Sequence, residues 1–233
     1  VVQDWRSLGL EPFIIDLPIP PAGEPVRFPG TLAASPTDDD PGSPPPATTA
    51  AKRFTSRLVS ILFADAVGFS KLSEAQVPRF VEHFLGAIAD LSKNFDDAIL
   101  ARNTWGDGLY FVFADVCAAG EFGLQLADLV AHTNWAEHGL GSGMNLRIGL
   151  HAGPAYEFDD PITGDRTYGG THVSRAARIE PITPPGQVYA SENFAAIAVA
   201  HGAKTFICDY VGQTPLAKEY GTLPAYHVRE LNR

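Results

Sequence analysis

Two short segments carry residues suited to phosphoryl chemistry. In Phe63-Ala64-Asp65-Ala66-Val67-Gly68-Phe69-Ser70 an apolar run ends in an acid and passes through glycine toward an expected helix. A carboxylate placed there can take a divalent cation, while backbone N–H groups after the glycine take anionic oxygens. In Trp105-Gly106-Asp107-Gly108 a second acid sits at a tight turn between two apolar runs. If those strands are neighbours, Asp65 and Asp107 converge on one sheet edge, the minimal cradle for two divalent ions in an in-line phosphoryl transfer. Each acid alone has an ordinary structural explanation, since Asp-Gly suits turns and an Asp after a strand suits a helix cap. Their joint placement favours chemistry.

The elements that must position these acids begin near Lys52. Arg57 to Ala64 reads as a buried strand. Ser73 with Gln76 has the spacing of a capping box, and Val77, Phe80, Val81, Phe84, Leu85, Ile88 and Leu91 follow at helical spacing. Residues 98–104 and 109–113 predict two strands of a hairpin around the Asp107 turn. A helix is expected over 116–132, a strand over 145–151, and a loop or arm over 158–170. Val173 to Glu180 predicts a short helix, Gln187 to Ala190 a strand, and Ser191 the cap of a helix reaching His201. Residues 206–212 and 225–230 close the pattern as two strands. Hairpins and crossovers mixed with helices imply an α+β sandwich on a mixed sheet.

Composition limits the function classes. The chain has 233 residues, 45% of them apolar and 19% charged, which is a globular balance. Its formal net charge of -10 argues against a nucleic-acid partner, which calls for a basic face. A single anionic substrate stays possible, because a bound divalent metal inverts the local field. Two isolated cysteines, Cys117 and Cys208, make neither a disulfide framework nor a cysteine zinc site. No run approaches the roughly 18 apolar residues of a membrane span, and no secretory leader is visible. A cytoplasmic location without membrane contact is expected. The start at Val1 suggests a piece of a longer polypeptide. Eleven of the 19 prolines lie in the first 50 residues. Residues 31–50 have Pro/Asp/Thr-rich linker composition, and residues 1–30 read as the end of an upstream module or a packing arm. That leaves 51–233 as the main domain, with an upstream regulator as an expected partner.

FADAVGFSKLSE, NTWGDGLYFVF, NLRIGLHAGP and GTHVSRAARIEPITPPGQVYASE, in this order, resemble the signature segments of class III nucleotidyl cyclases, the adenylate/guanylate cyclase catalytic domain. The similarity covers about residues 56–231. It implies a ferredoxin-like, polymerase-palm sandwich with a mixed, mostly antiparallel sheet. It implies two Mg²⁺ (or Mn²⁺) ions, a nucleoside triphosphate substrate, and a homodimer with active sites at the subunit interface. The implied reaction is attack of the ribose 3′-oxygen on the α-phosphorus, releasing pyrophosphate. By position, Asp65 and Asp107 match the metal-binding aspartates and the Ala66 carbonyl adds a ligand. The amides of Val67, Gly68, Phe69 and Ser70 match the phosphate loop. Arg178 matches the arginine that stabilises the α-phosphate, and Lys218 a triphosphate-binding lysine.

Three positions depart from the pattern. Ser174 stands where an asparagine usually orients the ribose. Asn103 stands where adenylate cyclases carry Lys and guanylate cyclases Glu, and Thr167 fills the second base-reading position. Asn103 both donates and accepts, so it suits adenine, guanine or cytosine. ATP is the expected substrate on the strength of Thr167, with GTP or a pyrimidine triphosphate open. The rival reading is a regulatory module that binds nucleotide after catalysis has decayed, with Ser174 and Asn103 as the marks. Arg166 reads as solvated, and His151 and His172 as structural. The absence of GxxxxGK[ST] and of Gly-x-Ser-x-Gly rejects a P-loop NTPase and a serine hydrolase.

Overall fold

The computed structural model describes residues 54–216 and 221–231. The expectations for residues 1–30 and 31–50, and for Lys218, lie outside these. Eight strands form one sheet: β1 (Thr55–Val67), β2 (Ile99–Trp105), β3 (Gly108–Phe113), β4 (Asn145–Asp159), β5 (Arg166–Gly169), β6 (Val188–Ser191), β7 (Phe206–Pro215) and β8 (Thr222–Glu230). Their order is β2-β3-β1-β4-β6-β8-β7, with β5 attached to β4. Only β4 with β6 is parallel; every other pair is antiparallel. The expected α+β fold with a mixed, mostly antiparallel sheet is the observed one.

Strand β1 is the axis of this sheet: it pairs with β4 along its whole length and with β3 over Ser60–Asp65. Side chains alternate along it, so Leu62, Ala64 and Ala66 enter the main core on one face. Val59 and Ile61 face the other side, where Tyr110, Val112, Tyr168 and Ala176 bury them. Asp65 follows Ile61 and Phe63 on that second face by the same alternation. Helix α1 runs through Val77–Arg79, a π-helical Phe80–Leu85 and Gly86–Lys93. With α2 (Val116–His132) and α4 (Glu192–Ala200) it covers the main core. Asp115 caps α2 by accepting from the Ala118 N–H at 2.8 Å. Ser191 caps α4 as expected, accepting from the Phe194 N–H at 3.2 Å. Helix α3 (Thr171–Ala176) lies on the Asp65 face.

The structure corrects four boundaries. Gly68, at φ 100°, leads into a single 3₁₀ turn (Phe69–Lys71) rather than a helix; α1 starts later, at Val77. The Gln76 side chain does reach back to the Ser73 N–H at 3.0 Å, yet Ser73 lies before the helix and closes a turn instead of capping it. The stretch 158–170 holds a strand: β4 continues past Pro154 because the first half of β1 pairs with it out to Thr55↔Glu157, and β5 folds back on its end. Its turn-forming composition hid that strand. The helix expected over 173–180 ends at Ala176, and a 3₁₀ turn at Glu180–Ile182 carrying Pro181 follows. Among the described residues no helix is long and apolar enough to cross a membrane.

Phe122 of α2 is fully buried and packs on Phe95, Phe111 and Phe113. Phe122→Ala is expected to lower unfolding stability by about 3–5 kcal/mol, read by denaturant titration.

Candidate active site

The β-sheet register brings the two acids together. Asp65 stands opposite Gly108 on β3 and opposite Arg147 on β4. Asp107 occupies the adjoining β2–β3 turn, and its carbonyl accepts from the Ala66 N–H at 3.3 Å. The hairpin tip is thereby tied to the end of β1, as the Gly-Asp-Gly turn led one to expect. Burial, reinforced by the charge on Asp65, pushes the Asp107 carboxyl above its ordinary value, against its own backbone hydrogen bond and Arg147.

Sequence reasoning missed Arg147. Its Nη2 donates to Asp65 Oδ2 at 2.7 Å, and its Nε lies 2.8 Å from Glu180 Oε1. The second contact is an ion pair with poor aim: both atoms are buried and neither completes a hydrogen bond. Burial pushes the Glu180 carboxyl up to about 7, helped by the charges of Asp65 and Asp107 and opposed by Arg147. Glu180 reaches this place because Gly149 has no side chain; a Cβ there would sit 2.6 Å from the Glu180 backbone nitrogen. The signal was present as an arginine on the strand that pairs with Asp65, yet only register reveals the contact.

These residues fit a divalent ion. Among the described residues no group of three or more His, Cys, Asp or Glu side chains surrounds a common point. A hard cation held by two carboxylates, with carbonyl, water and phosphate oxygens completing its shell, suits Mg²⁺. Arg147, paired with Asp65, meanwhile offsets part of that acidic charge.

A second group lies apart from the acids. Ser174, Arg175, Arg178, His172 and Leu223 line a cavity of about 670 Å³ whose described lining includes neither Asp65 nor Asp107. Arg178 Nη1 donates to the Ser174 carbonyl at 2.8 Å, one turn back, so the two expected residues share one end of α3. A third group forms around Tyr110, which is buried in β3 opposite Asn103. Its hydroxyl donates to the Tyr168 carbonyl at 2.9 Å and is also hydrogen-bonded to Thr167. Asn103 and Thr167 therefore flank one tyrosine, a link that sequence reasoning did not supply. Asn103 is exposed, and its side chain accepts from the Thr104 N–H at 2.8 Å. Val67 ends β1, and Gly68, Phe69 and Ser70 form the turn beside Asp65. Arg166 is exposed and pairs with Glu157 at 2.9 Å and Asp159 at 3.4 Å. His151 is completely buried between Ser191 and His172.

The α+β sheet thus carries two carboxylates at the end of β1 and an arginine-lined cavity beside α3. The adenylate and guanylate cyclase catalytic domain family matches residues 52–228, and the chain belongs to it. Solved structures with the same fold include the adenylyl cyclase CyaB from P. aeruginosa, at 18% identity and TM-score 0.66, covering 78% of this chain and 98% of that one. The guanylate cyclase domain of RhGC from Catenaria anguillulae, in complex with GTP, shares 19% identity at TM-score 0.62 over 76% of this chain and 98% of its own. A non-canonical dimeric guanylyl cyclase domain from Blastocladiella emersonii shares 19% at TM-score 0.63, over 76% and 98%. Comparison with curated proteins gives no match.

Two outcomes test the electrostatics. Arg147→Met should destabilise the fold by about 1–3 kcal/mol by stranding Glu180, and adding Glu180→Gln should recover most of it in a double-mutant cycle. Burial, then His172 and Arg175, push the His151 imidazole down to about 3. An unfolded chain takes up that proton near pH 6.5 and the folded one does not, so this contribution is whole above 6.5 and is lost as pH falls. Between pH 7 and pH 5 the wild type should lose about 2 kcal/mol more than His151→Gln in urea unfolding.

Proposed function

We propose that this domain converts ATP to a 3′,5′-cyclic nucleotide and pyrophosphate, at sites shared between two copies of the chain. The observation that carries the reading is the register that sets Asp65 beside Asp107 at the end of β1. These carboxylates and the Ala66 carbonyl would hold two Mg²⁺ or Mn²⁺ ions, which would supply activation of the 3′-hydroxyl and neutralisation of the leaving pyrophosphate. The amides of Val67, Gly68, Phe69 and Ser70 meet the β- and γ-phosphates, and Lys218 assists them. Arg178 forks onto the α-phosphoryl oxygens as charge builds there, and Ser174 orients the ribose. Asn103 and Thr167 read the base, and Thr167 favours adenine over guanine.

The homodimer is supported by the separation of the acids from the Arg178 cavity within one chain, and by the dimer reported for the Blastocladiella domain. Trp105, 61% exposed on the hairpin that carries Asp107, suits such an interface. Residues 51–233 would be the catalytic unit, under an upstream regulator joined through 31–50. A cytoplasmic location agrees with the free thiols of Cys117 and Cys208.

Purified protein should form a cyclic product from ATP in preference to GTP, CTP and UTP, read by mass spectrometry. Asp107→Asn should lower turnover about 1,000-fold or more. Mixing inactive Asp107→Asn with inactive Arg178→Ala should restore about a quarter of wild-type turnover, because half the dimers regain one intact site. No recovery would refute shared sites, and binding without any turnover would favour the decayed module that Ser174 hints at.

A further inference from the structure

The stacked pair of His151 and His172, the first buried and the second half-buried, has no part in the reaction described above. His151 stands in β4, fully enclosed, and His172 stands in the first turn of α3 on the wall of the Arg178 cavity. The rings stack with centroids 5.1 Å apart and planes 12° apart. His151 Nε2 lies 2.8 Å from His172 Nδ1, and His151 Nδ1 lies 2.6 Å from Ser191 Oγ. Gly153 makes the room, since a Cβ there would fall 2.1 Å from His172 Nδ1.

The protons in this chain have a determined order. Ser191 Oγ already accepts from the Phe194 N–H, and its own buried hydrogen has one acceptor among the described residues, His151 Nδ1. Leaving that hydrogen unpaired would forfeit a buried hydrogen bond, so Ser191 donates to His151 Nδ1. His151 then carries its proton on Nε2 and donates it to His172 Nδ1. His172, neutral and accepting at Nδ1, in turn carries its proton on Nε2. Burial, and then the charge of Arg175, lower the His172 value and keep it a neutral donor.

The wall that this N–H joins is anion-seeking. Arg175 and Arg178 supply two guanidinium groups, Thr171 and Ser174 supply hydroxyls, and no carboxylate is among the described lining residues. Groups of that kind converge on the oxygens of a polyphosphate. We propose that His172 is a further nucleotide-contacting residue, whose Nε2–H donates to a phosphate oxygen of the bound triphosphate, with His151 and Ser191 as positioning residues that fix its tautomer. The inference rests on the cyclase reading and adds a phosphate donor on the helix that carries Ser174 and leads into Arg178.

The test uses the wild-type chain with ¹⁵N-labelled imidazoles and a 3′-deoxynucleoside triphosphate with Mg²⁺, which binds but cannot cyclise. The His172 signals, assigned with His172→Gln, should report the Nε2–H tautomer and move on binding. In turnover assays His172→Phe should raise KM about tenfold with little change in kcat. His172→Gln, which keeps a donor, should recover most of that loss. Calorimetric binding of the nucleotide with unmoved His172 signals, or an unchanged KM in His172→Phe, would overturn the inference and leave the cyclase reading intact. Absence of any nucleotide binding by the wild type would remove both.

Discussion

The antiparallel register of β1 between β3 and β4 is the constraint on which the site depends. It sets Asp65 opposite Gly108 on one side and opposite Arg147 on the other, and it places the Ala66 N–H against the Asp107 carbonyl. A slip of one residue would turn Asp65 into the main core and a core side chain onto the site face. The buried alternation of Leu62, Ala64 and Ala66 forbids that slip. Packing on one face thus aims the chemistry on the other.

The electrostatics follow from that placement. Two carboxylates on one edge repel each other, and burial raises the cost of charging the second. Arg147 offsets the charge of Asp65, while Glu180 behind it stays partly neutral because its burial is only weakly compensated. A cation arriving at the acids would compete with Arg147 for Asp65 and free the guanidinium for the anion that accompanies the metal. Such an arrangement keeps the unliganded fold tolerable without filling the site permanently.

The arginine-lined cavity is assembled differently. Helix α3 has two turns at most, too short to persist without its contacts, and it is held by Ala176 in the second core and by the His151–His172 contact with β4. Ser174, Arg178 and His172 are thereby fixed relative to the sheet. Tyr110 does the same service for Asn103 and Thr167, pinning β5 to β3 through one hydroxyl.

Much of this was legible in the residues. The apolar run of β1, the Gly-Asp-Gly hairpin, the helical spacing from Val77 and the Ser191 cap each rest on local physics, and each appears in the fold. The four motif segments, in order, sufficed to name the family that matches residues 52–228. What failed locally was decided by neighbours. The extension of β4 exists because β1 offers paired backbone and β5 because that extension does, whereas their own Gly, Pro and Thr content argued for a loop. The Arg147–Asp65–Glu180 cluster and the Ser191–His151–His172 chain join residues far apart in sequence. Periodicity and spacing report only what each segment prefers. Which side chains meet across strands depends on register and helix approach, and those are set by the packing of the whole domain.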